Sequence, residues 1–234
     1  MATIKEEADD AAGECGIAAP ASWLDTSSDG LMFQRFIRSI SRDLLDRHAW
    51  TAASVTATFA PVAETASFTL PTDFNRLQEE DNAVFEVSPN RRPVIPMASD
   101  GTWEEMKAWG SVGAQRYYRK VSGAIEFYRP APAGAIIKIA YVSKNWITGG
   151  KSVWTDELND TPVFPSQLIR FGLIYRWRKQ KGLRFEDDQA EYEAILARAI
   201  GDDRPRRIIR TEGPGMARAH PMRVEVPDFI PPGP

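Results

Sequence analysis

The sequence predicts an α+β fold: a helical bundle built from both ends of the chain, an inserted antiparallel β domain, and an extended C-terminal arm. Three observations carry this. Apolar residues recur at helical spacing up to Ala49, the period drops to two residues from Trp50, and helical spacing returns near Pro165. After Gly201 no period remains. The divisions that follow are 1–49, first helical part; 50–161, inserted β domain; 162–201, second helical part; and 202–234, the arm.

Thr3 followed three residues later by Glu6 is a capping-box spacing and announces the first helix. Ile4, Ala8, Ala11 or Ala12, and Cys15 form its apolar stripe, and Gly16 offers the stop. Alanine buries little area, so this helix must lean on neighbours. After "GIAAPAS" a stronger helix is expected from about Ser28 to Ala49, with Leu31 or Met32, Phe36, Ile40 and Leu44 on one face and Ile37 beside them. Arg35, Arg38, Arg42, Asp43, Asp46 and Arg47 lie mostly around its other sides.

From Trp50, "SVTATFA" and "TASFTL" alternate as half-buried strands do, with "PVAE" as the turn between them. "AVFEVS" and "RPVIPM" read as short strands. "QRYYRKVSGAIEFYRP" reads as a hairpin with "VSGA" at its tip, and "GAIIKIAYVSKNW" as a long final strand with Ile137, Ile139 and Tyr141 facing one way. Many short strands punctuated by Pro and Gly favour an antiparallel sheet or small sandwich over βαβ units.

Pro165 suits the first turn of a helix, where its missing N–H costs nothing. Leu168, Phe171 and Tyr175 line one face of that helix, and Ile169, Leu173 and Trp177 another, so burial on two sides is expected. Ile169, Leu173 and Trp177 are expected to lie toward another helix or a neighbouring subunit, and are the candidate subunit interface. Arg176, Arg178, Lys179 and Lys181 suit the negative end of the helix dipole, and Gly182 stops the helix. The next helix opens with Glu186, Asp187 and Asp188, buries Tyr192, Ile195, Leu196 and Ala199, and is expected to end at Gly201.

The bulk numbers bound the function. The net charge is −3 with a pI near 5.6, so the basic surplus of a protein that grips a nucleic-acid backbone is missing. DNA could still pass without being held. Cys15 is the only cysteine, which rules out an intramolecular disulfide and a Cys-based zinc site. His48 and His220 lie far apart in sequence. No apolar run approaches the ~20 residues of a membrane span. The acidic "MATIKEEADDAAGECG" is unlike a secretory signal, so a cytosol-like compartment is expected.

Searching for chemistry yields little. There is no nucleophile elbow, phosphate-cradling Gly loop or HExxH motif. The carboxylate clusters "EEADD", "QEED", "TDELND" and "FEDD" lack calcium-loop spacing, and "FEDD" is favoured at a helix start by the dipole alone. Trp103, Trp109, Trp146 and Trp154 could form a sugar-stacking platform, but large aromatics more often fill a small core or an interface. His48 is read as a dipole contact at a helix end, and Cys15 as a small core hydrophobe. No enzyme activity, cofactor or metal is expected.

The order of landmarks is more specific than any one of them. "GIAAP", "DLLDRHAW", "FTLPTDFNRL", "YRPAPAG", "IAYVSKNWI", "TDELNDTPVFPSQLIRFGLIYRWRKQKGL" and "EYEAIL" follow one another in unbroken order. Over about Lys5 to Gly201 this series resembles the head–tail adaptors of tailed bacteriophages, also called tail accessory factors or portal-binding connectors. The resemblance implies a non-enzymatic structural protein that forms a homo-oligomeric ring, usually of twelve subunits, beneath the portal protein. That ring would join the DNA-filled capsid to the tail, continue the DNA ejection channel, and meet a downstream nozzle, stopper or tail hub. It places the chain at the virion's head–tail junction, and in the host cytoplasm during assembly, with no membrane and no sequence-specific DNA contact.

The arm matches no motif of the series, so its portal-docking role comes from position and composition. Proline stands at 205, 214, 221, 227, 231, 232 and 234 between short apolar bites. Such a segment buries too little to fold alone and is expected to be ordered by a partner. Arg206, Arg207 and Arg210 would make forked contacts to carboxylates, and Ile208, Ile209, Val224, Val226, Phe229 and Ile230 would fill apolar pockets. Two other readings are a carbohydrate- or receptor-binding virion tail protein using the β domain, which requires an exposed aromatic platform, and an enzyme, which requires a cleft of convergent polar groups.

Overall fold

A computed structural model of the chain describes residues 2–61, 64–78, 83–89, 91–97, 99–110 and 115–203. The arm residues Arg206, Arg207, Ile208, Ile209, Arg210, Val224, Val226, Phe229 and Ile230 lie outside this range, as do His220 and most of "QEED".

Helix α1 (Ile4–Glu14) carries both halves of the capping box: the Thr3 hydroxyl accepts from Glu6 N at 3.2 Å, and Glu6 Oε2 from Thr3 N at 2.8 Å. Its buried stripe is Ile4, Ala8, Ala11 and Ala12, and Gly16 follows at φ 70°. Helix α2 (Ser28–Arg47) is capped by Ser27. Its buried face is Phe33, Ile37, Ile40, Ser41, Leu44 and Leu45. The face is turned relative to the sequence reading: Leu31 is exposed, while Met32 and Phe36 are only partly covered. Phe33 is drawn inward because Trp23, in the loop before the helix, stacks on it at 4.4 Å between ring centres.

The central segment forms two sheets. In the first, β9 (Ile136–Ser143) lies between β1 (Ser54–Phe59) on one side and β4 (Val84–Ser88) and β3 (Phe74–Leu77) on the other, with β5 (Arg92–Pro93) beyond β4. The second has the order β2 (Thr65–Thr69), β8 (Ala124–Ala131), β7 (Tyr117–Val121), β6 (Ile95–Pro96). Ile137 and Ile139 of β9 and Val84 of β4 pack with Ile125 and Phe127 of β8, so the two sheets share one apolar core.

Three details differ from the sequence reading. β1 and β2 belong to different sheets and do not pair as a hairpin; Val62 and Ala63 of the expected turn "PVAE" lie outside the described residues. "RPVIPM" splits into β5 and β6, one in each sheet, around buried Val94, and the β6–β7 pairing is parallel. Helix α3 (Asp100–Trp109) went unread; Ser99 caps it and Trp103 anchors it. The expected hairpin is present: Ser122 and Gly123 both have positive φ, as a two-residue turn between twisted strands requires.

Helix α4 (Gln167–Gln180) begins two residues after Pro165, whose carbonyl accepts the Leu168 N–H. Helix α5 (Glu186–Asp203) runs through Gly201 rather than stopping there. The segment 50–161 is not confined to the sandwich. Trp50, Ala53, Val142, Trp146, Ile147 and Trp154 pack in the same apolar cluster as the helices, because β9 crosses from one core into the other.

Candidate functional site

The bundle is organised around α4, which packs against α1, α2 and α5. An apolar residue is needed wherever a neighbour lies, so Leu168, Ile169, Leu173 and Ile174 are all buried. Gly172 sits where α2 comes closest: a Cβ there would lie 2.9 Å from Ile40 Cδ1. Of the two partners expected for this face, another helix or a neighbouring subunit, Ile169 and Leu173 meet the first: both are fully enclosed by the chain's own core, whereas Trp177 stays partly exposed.

Polar side chains then lock the helix ends. Ser166 donates to Glu7 at 2.6 Å, and Arg170 reaches Asp10 at 3.4 Å and Glu14 at 3.7 Å, tying α4 to α1. The basic run at the end of α4 is largely spent inside the subunit. Arg176 donates to Ser39, Arg178 pairs with Asp188, and Lys179 and Lys181 lie over the Phe185 and Trp177 rings. At the end of α5 the Asp203 carboxylate meets His48 Nε2 at 2.9 Å and accepts Thr51 N at 3.0 Å. His48 is thus a clamp on α5, a role its sequence position alone did not show. Arg47 adds a contact to Glu193 at 2.7 Å. Cys15 is half-buried, and burial pushes its thiol up to about 11 despite the lowering effect of Arg178, as a packing role requires.

The carboxylate clusters have structural work. In "TDELND", Asp160 is buried and accepts from Lys151 at 2.7 Å, Thr155 N at 3.0 Å and Asp156 N at 2.9 Å, while its carbonyl accepts the Ile4 N–H. Glu157 accepts from Ser22 and from Leu24 N. The loop therefore fastens the start of α1 and the approach to α2. Among the described residues no group of three or more His, Cys, Asp or Glu side chains could hold a metal, and no helix is long and apolar enough to cross a membrane. Trp103, Trp146 and Trp154 are buried, so they form no sugar-stacking platform; the Trp109 side chain is outside the described set.

One feature was missed in the sequence. A groove of about 460 Å³ opens where α2 meets the sandwich, lined by Arg38, Arg42, Asp46, Lys144, Trp146 and Val153. Its arginines were legible only as charge on the outer side of a helix. Lys144, about a hundred residues on, is brought beside them by β9.

The sequence pattern described as SU10 adaptor protein matches residues 6–220, and the chain belongs to that family, a phage head–tail adaptor family. The match runs past Gly201 and takes in Arg206, Arg207 and Arg210 of the arm, beyond the reach of the motif series. No curated protein matches the chain. A phage adaptor is a structural component of the virion at the head–tail junction, where it interacts with portal and tail components.

Proposed function

We propose that this adaptor assembles as a closed ring, of twelve subunits, beneath the portal, continues the DNA channel without sequence-specific contacts, and receives a nozzle, stopper or tail hub below. The observation that carries the reading is the family match over most of the chain. The structure supports it through the fixed end of α5, where Asp203, at the very start of the segment 202–234, is held by His48 and Thr51. The arm from Asp202 to Pro234 is the portal-docking element in this reading. A chain of Pro-spaced apolar bites loses less entropy on being laid into a groove than a fully flexible one. Of Ile169, Leu173 and Trp177, Trp177 is the one left partly exposed to touch a neighbour.

The test is light scattering of the purified chain with and without portal. A step in mass to a portal-bound ring is expected, and a chain lacking residues 204–234 should remain folded yet no longer bind portal. Full-length protein that stays monomeric with portal overturns the ring. Unchanged portal affinity after removal of the arm overturns its docking role.

A further inference from the structure

Helix α4 uses its apolar surface inside the subunit, so contact between copies has to be made by faces that the bundle turns outward. Two such faces stand out. On α2, Leu31, Arg35, Arg38 and Arg42 are exposed at spacings of four, three and four residues, which places them in one stripe. Among the described residues none of the three arginines has an ion-pair or hydrogen-bond partner. Arg38 and Arg42 also line the groove, beside Lys144 and Val153, the latter 48% exposed. On α5, Asp187, Ala190, Glu191 and Ala194 are exposed along one stripe. Glu191 has no ion-pair partner there, and Asp187 pairs only with Arg184, both side chains being 80% exposed. Such a surface pair is worth little.

We propose that the outward face of α2 in one copy receives the outward face of α5 in the next copy; this rests on the ring proposed above and assigns its contact. The chemistry is complementary. One face carries long guanidinium side chains, and the other carries carboxylates among alanines short enough for those side chains to lie across them. Arg38 and Arg42 are four residues apart, as are Asp187 and Glu191. A rise of about 6 Å along the helix separates each pair, so two guanidinium–carboxylate contacts form whichever way the helices run. Because the two faces differ, the contact can repeat head to tail from copy to copy, as the closure of a ring requires.

The same arginines could in principle face a phosphate backbone. Apolar Leu31 and Val153 and the carboxylate of Asp46 share that surface, however, and the chain is net acidic. A protein partner fits better.

The test uses full-length chains and portal, with assembly read by light scattering and folding by thermal melting. R38E/R42E and D187R/E191R each reverse one face. Each alone should melt like wild type and need at least about tenfold more protein to assemble, the loss of one tenfold step in affinity being about 1.4 kcal/mol. The chain with all four changes restores opposite charges and should assemble again, as should an equal mixture of the two double variants, which complement each other alternately. Assembly of R38E/R42E at wild-type concentration overturns the proposal, and so does failure of the fourfold variant to recover. If R38E/R42E assembles normally but no longer retains duplex DNA, the stripe faces nucleic acid and the proposal falls. If wild type itself forms no ring with portal, the functional reading falls and takes this contact with it.

Discussion

The helical core and the sandwich core solve burial in opposite ways. The helical core is almost wholly apolar: Trp23, Phe33, Trp50, Phe164 and Tyr192 are buried among Ile and Leu, and even its Ser41 hydroxyl is satisfied by the Ile37 carbonyl at 2.8 Å. The sandwich core is thinner and admits an ion pair, Arg116 with Glu86 at 3.3 Å, both nearly inaccessible. The guanidinium also donates to the carbonyls of Arg129 and Pro130. There the β2–β8 register shifts and Arg129 adopts a φ of 68°. The arginine therefore satisfies backbone that a bulge has removed from the ladder. Helices satisfy their own backbone and can bury apolar surface freely, whereas short strands with an irregularity need a side chain to finish the pairing.

This difference sets the largest expected effect. Trp50 fills the helical core, and its indole N–H donates to the Leu44 carbonyl at 2.9 Å. Trp50→Ala should cost about 3–5 kcal/mol, and about 1 kcal/mol more for the lost hydrogen bond. Because β9 joins both cores, denaturant unfolding should remain a single transition shifted to lower concentration. Two separated transitions would show that the cores are independent. Arg116→Met should come next, about 3 kcal/mol, and its damage should be confined. Hydrogen exchange should rise in β2, β4 and β8 while α1, α2 and α4 keep their protection. Uniform loss across both regions would break the contrast.

What could be read in the sequence follows the same division. The helices were legible because caps and 3.6-residue periodicity are local signals: the Thr3–Glu6 box and the two-sided pattern of α4 both appear as expected. The strands were found, but their partners were not. "PVAE" looks like a turn, yet nothing local says that β1 prefers β9 to β2. Helix α3 escaped because it is short and carries Gly101 in its first turn, and among its described side chains Trp103 alone is buried. The second apolar face of α4 left two partners open, another helix or a neighbouring subunit, because such a face states that a partner exists, not whose chain supplies it. The basic groove needs Lys144 beside Arg38 and Arg42, a proximity only the folded β9 creates. The arm's nine docking residues rest on position and composition.

Gly172 offers a smaller, sharper probe of the helical side. A Cβ at this position meets Ile40 Cδ1 at 2.9 Å and Cγ1 at 3.1 Å, closer than carbon atoms settle. Overpacking costs about 1–3 kcal/mol, and replacing Gly by Ala inside a helix returns about 1 kcal/mol. Gly172→Ala should therefore destabilise by about 1 kcal/mol, the balance of these two effects. Adding Ile40→Val removes the nearest atom, so the double variant should lose less than the two single losses together. Strict additivity in that cycle would mean that the α2–α4 approach is not limited by this contact.

The smallest effect is a pH dependence confined to the loop that fastens α1. Burial pushes the Asp160 carboxyl up, but the Lys151 ammonium and the N–H groups of Thr155 and Asp156 together hold it below the usual carboxylate range. Its hydrogen bond to Asp160 raises Lys151 in turn, against burial. A carboxyl lowered by folding contributes stability that is complete above its unfolded value of about 3.9 and is lost as pH falls through the folded value. A raised ammonium contributes stability that is complete below about 10.4 and is lost as pH rises through its folded value. Wild type should therefore lose stability at both extremes through this pair, with a plateau between. Asp160→Asn keeps the shape and removes the charge, so it should be less stable on the plateau, with shallower losses at both ends. Melting temperatures of the two proteins from pH 2 to 12 decide the matter. Parallel curves would show that Asp160 acts only through hydrogen bonds its amide can replace, and that charge plays no part in holding α1 to the loop.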